Sequence, residues 1–274
     1  MMKYRSALLC AAILAGTASF AADLPWAKSF ADAKSKAAPT GKLIMIDFFT
    51  TWCGPCKQMK ATTFKDAVVI KKAAALIPLG LDAEKEGKAL AAKYKVTAYP
   101  TIIFIDSNGS VFRRLQGAYP PDAFRGVIDG VLKMFADYKS ANAALKKNPK
   151  DPKVLAKLAW IDSGRGELTS GEKYAKQAEA LGFKGNDLAE AWLLLGDGRR
   201  QAKNSSGAIQ AYDKALRMSQ TGSQKGYAYL AMAVVYYEAG DSGRARMNCQ
   251  AAISTKGVDA NTKTQAQRLM SMLR

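Results

Sequence analysis

The spacing of apolar residues changes character once along this chain of 274 residues. Up to about residue 137, short apolar runs alternate with amphipathic stretches; beyond it only the helical period remains. Pro25–Ala33 predicts an opening amphipathic helix with Trp26, Phe30 and Ala33 on one face. Pro39-Thr40-Gly41 turns the chain into Leu43–Phe49, an apolar, partly branched run that reads as a buried strand. Helical patterns follow over Gln58–Ala61 and from Phe64 to Ala75, then a short strand, Leu76–Asp82, and a Lys/Glu/Ala-rich helix, Ala83–Tyr94. Thr101–Asp106 is a strand, and Asn108-Gly109 is a hairpin turn into Val111–Leu115. Pro121 opens a last helix through Phe124, Val127, Ile128, Val131 and Phe135. The order is α-β-α-β-α-β-β-α around one mixed sheet.

From Asp137 onward alanine, leucine, lysine and glutamine dominate, and Asn148–Pro152 punctuates the helices. An internal repeat appears there. Leu155, Trp192 and Tyr229 are 37 residues apart, as are Leu158, Leu195 and Met232, and Ala159, Gly196 and Ala233. Gly171, Ala208 and Ala245 keep the same interval, as do Ala178, Ala215 and Ala252. The unit Trp192-x-x-Leu195-Gly196 with Ala208, Tyr212 and Ala215 resembles the tetratricopeptide repeat. Ala239-Gly240-Asp241 sits at its inter-helix turn. The resemblance implies three repeats and a terminal helix near 261–273, with a surface for a protein or peptide ligand. The reading is thus an α/β domain over 22–138 and an all-α helical-repeat domain over 139–274.

Composition narrows the chemistry. The chain has no histidine, which excludes His-based triads, His general bases and His-containing metal sites. Lys3 and Arg5 precede an apolar stretch, Ala7–Ala15, and Ser19-Phe20-Ala21 is a small-x-small cleavage pattern. Residues 1–21 therefore read as a signal peptide, with Cys10 discarded, and the mature protein as periplasmic or secreted without a membrane-spanning segment. Of the remaining cysteines, Cys53, Cys56 and Cys249, the last falls at a core position of its repeat and reads as a small buried hydrophobe. The formal charge of +18 is spread out: 17 basic and 11 acidic residues over 23–138, and 22 and 12 over 139–274. It reads as a solvated surface, with an acidic partner or an anionic membrane surface as the alternative, and resembles no nucleic-acid-binding motif.

The stretch that carries chemistry is Trp52-Cys53-Gly54-Pro55-Cys56-Lys57, where a strand hands over to a helix. A helix N-terminus stabilises a thiolate through its free N–H groups and positive dipole end, so the pair reads as a redox site. These residues, with Val96-Thr97-Ala98-Tyr99-Pro100-Thr101 and Asp47 six positions before Cys53, resemble the thioredoxin family. The resemblance implies a redox-active Cys53–Cys56 disulfide and no other cofactor or metal. Cys53 is expected as the exposed nucleophile, Cys56 as the buried resolving thiol and Asp47 as its proton acceptor. Trp52, Gly54, Pro55, Tyr99 and a cis Pro100 are expected to shape the substrate groove. One departure stands out. Small thioredoxins carry a buried lysine on the second strand, and the nearest equivalent here is Pro78.

The expected function is thiol–disulfide exchange on protein thiols and disulfides in the cell envelope. The Gly-Pro pair between the cysteines points to a reductant, recharged by a membrane electron donor, with the repeat domain binding a partner. The alternatives are a non-enzymatic assembly adaptor or chaperone using the repeats, and a disulfide oxidase or isomerase.

Overall fold

A computed structural model describes residues 23–273; the expected signal peptide and Cys10 lie outside them. The first half contains α1 (Phe30–Thr40), β1 (Ile44–Phe49), α2 (Gly54–Ala61), a 3-10 turn (Thr63–Lys65) and α3 (Ala67–Ala73). β2 (Ile77–Asp82), α4 (Lys88–Lys93), β3 (Thr101–Ile105), β4 (Val111–Gln116) and α5 (Pro121–Lys147) complete it. The strands form one mixed sheet in the order β2-β1-β3-β4, with β1 parallel to β2 and the other pairs antiparallel. Helices cover both faces, which is why β1 and β3 read as continuous apolar runs. Leu43 and Met45 point with Ile102 and Phe104 toward α3 and α5. Ile44, Ile46 and Phe48 point with Ile103 and Ile105 toward α1 and α4.

Two helices start later than their patterns predict, because polar side chains claim the first turns, and α1 then runs on through Pro39 and Thr40, expected as a turn, to its C-cap Gly41. Ser29 caps α1 by accepting the Asp32 N–H at 3.1 Å, so Pro25–Ser29 is non-helical and Trp26 stands edge-on to Phe64 instead. Asp82 accepts the Glu84 N–H at 3.0 Å, and Glu86 accepts the Asp82 N–H at 2.8 Å. That local network holds Ala83–Gly87 as a loop and delays α4 to Lys88.

The second half is helical throughout: α6 (Pro152–Gly164), α7 (Leu168–Ala180), α8 (Asn186–Gln201), α9 (Ser205–Met218), α10 (Gly222–Glu238), α11 (Ser242–Ser254) and α12 (Ala260–Met272). Residues 37 apart occupy corresponding places in the three successive helix pairs. Leu158, Leu195 and Met232 are buried, as are Ala178, Ala215 and Ala252. Small residues set the spacing: a Cβ on Gly196 would lie 2.3 Å from the Tyr212 ring, so only glycine permits that approach. Cys249 is fully buried, and burial pushes its thiol pKa up. Among the described residues no helix is long and apolar enough to cross a membrane.

The halves share a helix and are joined by Arg165, a buried cation of the helical half that reaches the sheet. α5 runs unbroken through residue 138, where composition suggests a boundary. Its first part packs Phe124, Ile128 and Val131 on the sheet, while Leu145 packs against the helical core. Arg165, at the end of α6, donates through Nε to the Val111 carbonyl at 3.0 Å. Its guanidinium lies 3.9 Å from the Phe112 ring centroid and 4.6 Å from that of Tyr138. Asp162 accepts from Arg165 Nη1 at 3.2 Å and from Ser170 Oγ at 2.7 Å. Ile44 pairs with Ile105, which pairs with Val111, so this junction lies at the end of the sheet opposite residues 49–53.

Candidate active site

β1 ends at Phe49, and the chain turns through Thr50–Cys53 into α2, whose N-cap is Cys53. Cys53 and Cys56 form a disulfide with their Cα atoms 5.3 Å apart. The Cys56 N–H donates to Cys53 Sγ at 3.1 Å, so the sulfur already sits on a free amide of the helix N-terminus. Gly54 and Pro55 are exposed, and a Cβ on Gly54 would meet nothing, so the outer side of the turn between the cysteines is open. The expected contrast between an exposed Cys53 and a buried Cys56 is absent from this oxidised state: they are 3% and 7% exposed.

Register brings the other expected residues to the same place. Phe48 pairs with Thr101, so the preceding Tyr99-Pro100, joined by a cis peptide bond, lies beside the cysteine turn. Pro100 is buried and Tyr99 half-buried. The Trp52 ring is 64% exposed and stands edge-on to Tyr99, with centroids 5.9 Å apart. The Trp52 Nε1–H is shared between the two carboxylate oxygens of Glu84, each at 3.1 Å. Glu84 is a site residue that pattern reading misses, because it belongs to a loop disguised as a helix start.

Asp47 follows Leu43 and Met45 at period two, so it points to the sheet face that α2 covers. It is 8% exposed, and its Oδ1 has no hydrogen-bond partner among the described residues. Burial pushes its pKa up to about 7, opposed by the positive charge of Lys60. A cavity of about 400 Å³ joins Asp47 to Cys56 and is also lined by Thr50, Lys57 and Lys60. Thr50 Oγ1 is likewise buried without a partner, so two orphaned polar atoms border a space large enough for water. Asp47 pairs across the sheet with Gly80, and Pro78, two residues earlier, supplies no charge. The cation therefore comes from α2 rather than from the second strand. Lys60 was legible only as a helix former, since nothing in the pattern says that its turn faces Asp47.

This arrangement suits thiol–disulfide exchange: a disulfide at a helix N-terminus, an exposed turn between its cysteines and an acid of near-neutral pKa beside the inner sulfur. Among the described residues, no group of three or more Cys, Asp or Glu is placed to hold a metal ion.

Comparison with known proteins agrees with this reading. Residues 30–132 match the thioredoxin-like domain family. The chain is 38% identical over 71 residues to thioredoxin-1 of Drosophila melanogaster, an alignment covering 26% of this chain and 64% of that protein. It is 38% identical over 93 residues to thioredoxin-2 of Saccharomyces cerevisiae, covering 34% of this chain and 85% of that protein. Against the thiol:disulfide interchange protein DsbD of Haemophilus ducreyi it is 38% identical over 72 residues, 25% of this chain and 13% of the longer protein. Through its first half, the chain belongs to the thioredoxin family of thiol–disulfide oxidoreductases.

Proposed function

We propose that the protein exchanges thiols and disulfides with protein substrates in the cell envelope, acting as a reductant through Cys53 and Cys56. The observation that carries this is the Cys53–Cys56 disulfide at the α2 N-terminus, opening beside Tyr99-Pro100 and backed by the Asp47 cavity. In the reduced protein the Cys53 thiolate attacks a substrate disulfide. One substrate sulfur leaves as thiolate, and a mixed disulfide with Cys53 remains. Cys56, giving its proton to Asp47 through the cavity, then attacks Cys53 Sγ. The second substrate thiolate leaves, and the Cys53–Cys56 disulfide is restored. Trp52, Gly54, Pro55, Tyr99 and Pro100 form the groove that receives the substrate segment.

The similarity to DsbD, the leader-like first 21 residues and the Gly-Pro pair support an exported reductant that draws electrons from a membrane donor. The helical half, read as three tetratricopeptide-like repeats, recruits a protein partner. Reduction of insulin by the full chain is the test: wild type is expected to turn over and Cys53→Ser to be inert. Equal rates would establish the adaptor reading. Equilibration with glutathione fixes the direction, and a potential near the roughly −120 mV of strong periplasmic oxidants would rule out a reductant.

A further inference from the structure

A groove of about 620 Å³ lies between α8, α10 and the start of α12, away from the redox site. Helical spacing puts Glu190, Leu194 and Asp197 on one face of α8, and Asp259 borders the groove from the α12 N-cap. Three carboxylates thus meet where no lysine or arginine contributes to the lining, in a chain whose basic residues outnumber the acidic by 41 to 23. Elsewhere in the helical half, Glu172, Glu179 and Glu238 are each met by an arginine or lysine. Arg200, whose charge acts on Tyr227 of the groove, is held by Glu238 at 3.0 Å.

The groove's own hydrogen bonds use only part of its accepting capacity. Asp197 accepts the hydroxyls of Tyr212 and Tyr227, each at 2.8 Å. Asp259 accepts the Thr262 N–H and hydroxyl. Glu190 Oε1 accepts from Gln224 Nε2 at 3.1 Å. Each carboxylate oxygen has a further lone pair to offer. Gln224 is the decisive residue. It is 7% exposed, and its amide nitrogen is fixed by two acceptors, Glu190 and the Asn186 carbonyl at 3.2 Å. Its Oε1 is left a buried acceptor with no donor among the described residues, on a side chain that lines the groove.

We propose that this groove binds an arginine or lysine side chain presented by a segment of a partner protein, with Glu190 and Asp197 taking the cationic head beside the unpartnered Gln224 amide. The methylene stem lies on Leu193, Leu194 and the Tyr227 ring, in the way long cationic side chains cover apolar surface. The volume exceeds what one side chain fills, and Thr221, Ser223 and Asn261 on the rim supply polar partners for a peptide backbone. This rests on the reading that the helical half recruits a protein, and it gives that protein its chemistry.

The test titrates the full chain, isotope-labelled for NMR, with acetyl-Ala-Arg-Ala-Arg-Ala-amide, its citrulline and glutamate analogues, and arginine amide alone. The arginine peptide is expected to shift the Gln224 side-chain amide and the Tyr227 backbone amide saturably. Its affinity should exceed that of the isosteric, neutral citrulline peptide at least tenfold. Glu190→Gln, with an otherwise unchanged amide spectrum, should weaken it at least fivefold. Equal binding of the citrulline peptide, or preference for the glutamate peptide in this groove, overturns the cationic chemistry while recruitment stands. Arginine amide binding as tightly as the peptide overturns the polypeptide ligand. Shifts outside the groove, or none with any probe, overturn the site, and in the latter case recruitment loses its support as well.

Discussion

The two ends of the sheet each bury a carboxylate, and they bury it differently. Asp162, at the junction, has Arg165 at 3.2 Å and Ser170 at 2.7 Å, and the guanidinium is itself sandwiched against Phe112 and Tyr138. Asp47, at the cysteine end, keeps an oxygen without a partner beside a cavity. Burial raises both pKa values. A buried acid whose partners are in place joins two pieces of structure; one left without them is held ready to take a proton.

Breaking the paired end is expected to have the largest effect. Arg165→Ala leaves the buried Asp162 with Ser170 as its remaining side-chain donor and should cost about 3–5 kcal/mol. Chemical denaturation should then split into two transitions; a single transition at an unchanged midpoint would show that the ion pair is incidental. The unpaired end should respond with the opposite sign. Asp47 has a folded-state pKa of about 7, above its unfolded value, so its contribution is harmless below about pH 4 and destabilising as pH rises toward 7. Above pH 7 the penalty is constant. Asp47→Asn should therefore stabilise by at most about 4 kcal/mol at pH 8 and hardly at all at pH 3, while slowing insulin reduction most at neutral pH. Equal thermal midpoints for the two proteins at pH 8 would show that Asp47 is not strained by its burial. Ser170→Ala, which removes one of two donors to Asp162, should cost about 1–2 kcal/mol. The smallest effect belongs to Glu84→Gln: Trp52 is exposed, so stability should move by under about 0.5 kcal/mol, and the change is read in the KM for a protein substrate rather than in kcat.

The redox end was more legible than the junction, for physical reasons. The Cys-x-x-Cys pair after a strand is a local signal, Asp47 and Tyr99-Pro100 were legible through the resemblance to thioredoxins, and the sheet register brings them together. Arg165 gives no such signal, because its partners Val111, Phe112 and Tyr138 lie 27 to 54 residues away. The composition change near Asp137 marks a change of packing partner along α5, not an interruption of the helix. The delayed starts of α1 and α4 were hidden because Ser29, Asp82 and Glu86 compete for backbone groups that periodicity assumes are free. The origin of Asp47's cation was hidden likewise, because Lys60 sits at an ordinary solvent-facing position of α2.

The shared helix bears on how the molecule tumbles. α5 has 27 residues, a rod of roughly 40 Å, and both halves are packed along it with no linker between them. Swivelling at residue 138 would require hydrogen bonds in the middle of that helix to open. In NMR relaxation, the amides of Ile46 and Val235 should therefore report one rotational correlation time, that of a single body. Whatever the helical half holds is carried round at a fixed bearing to the cysteines, instead of wandering on a tether.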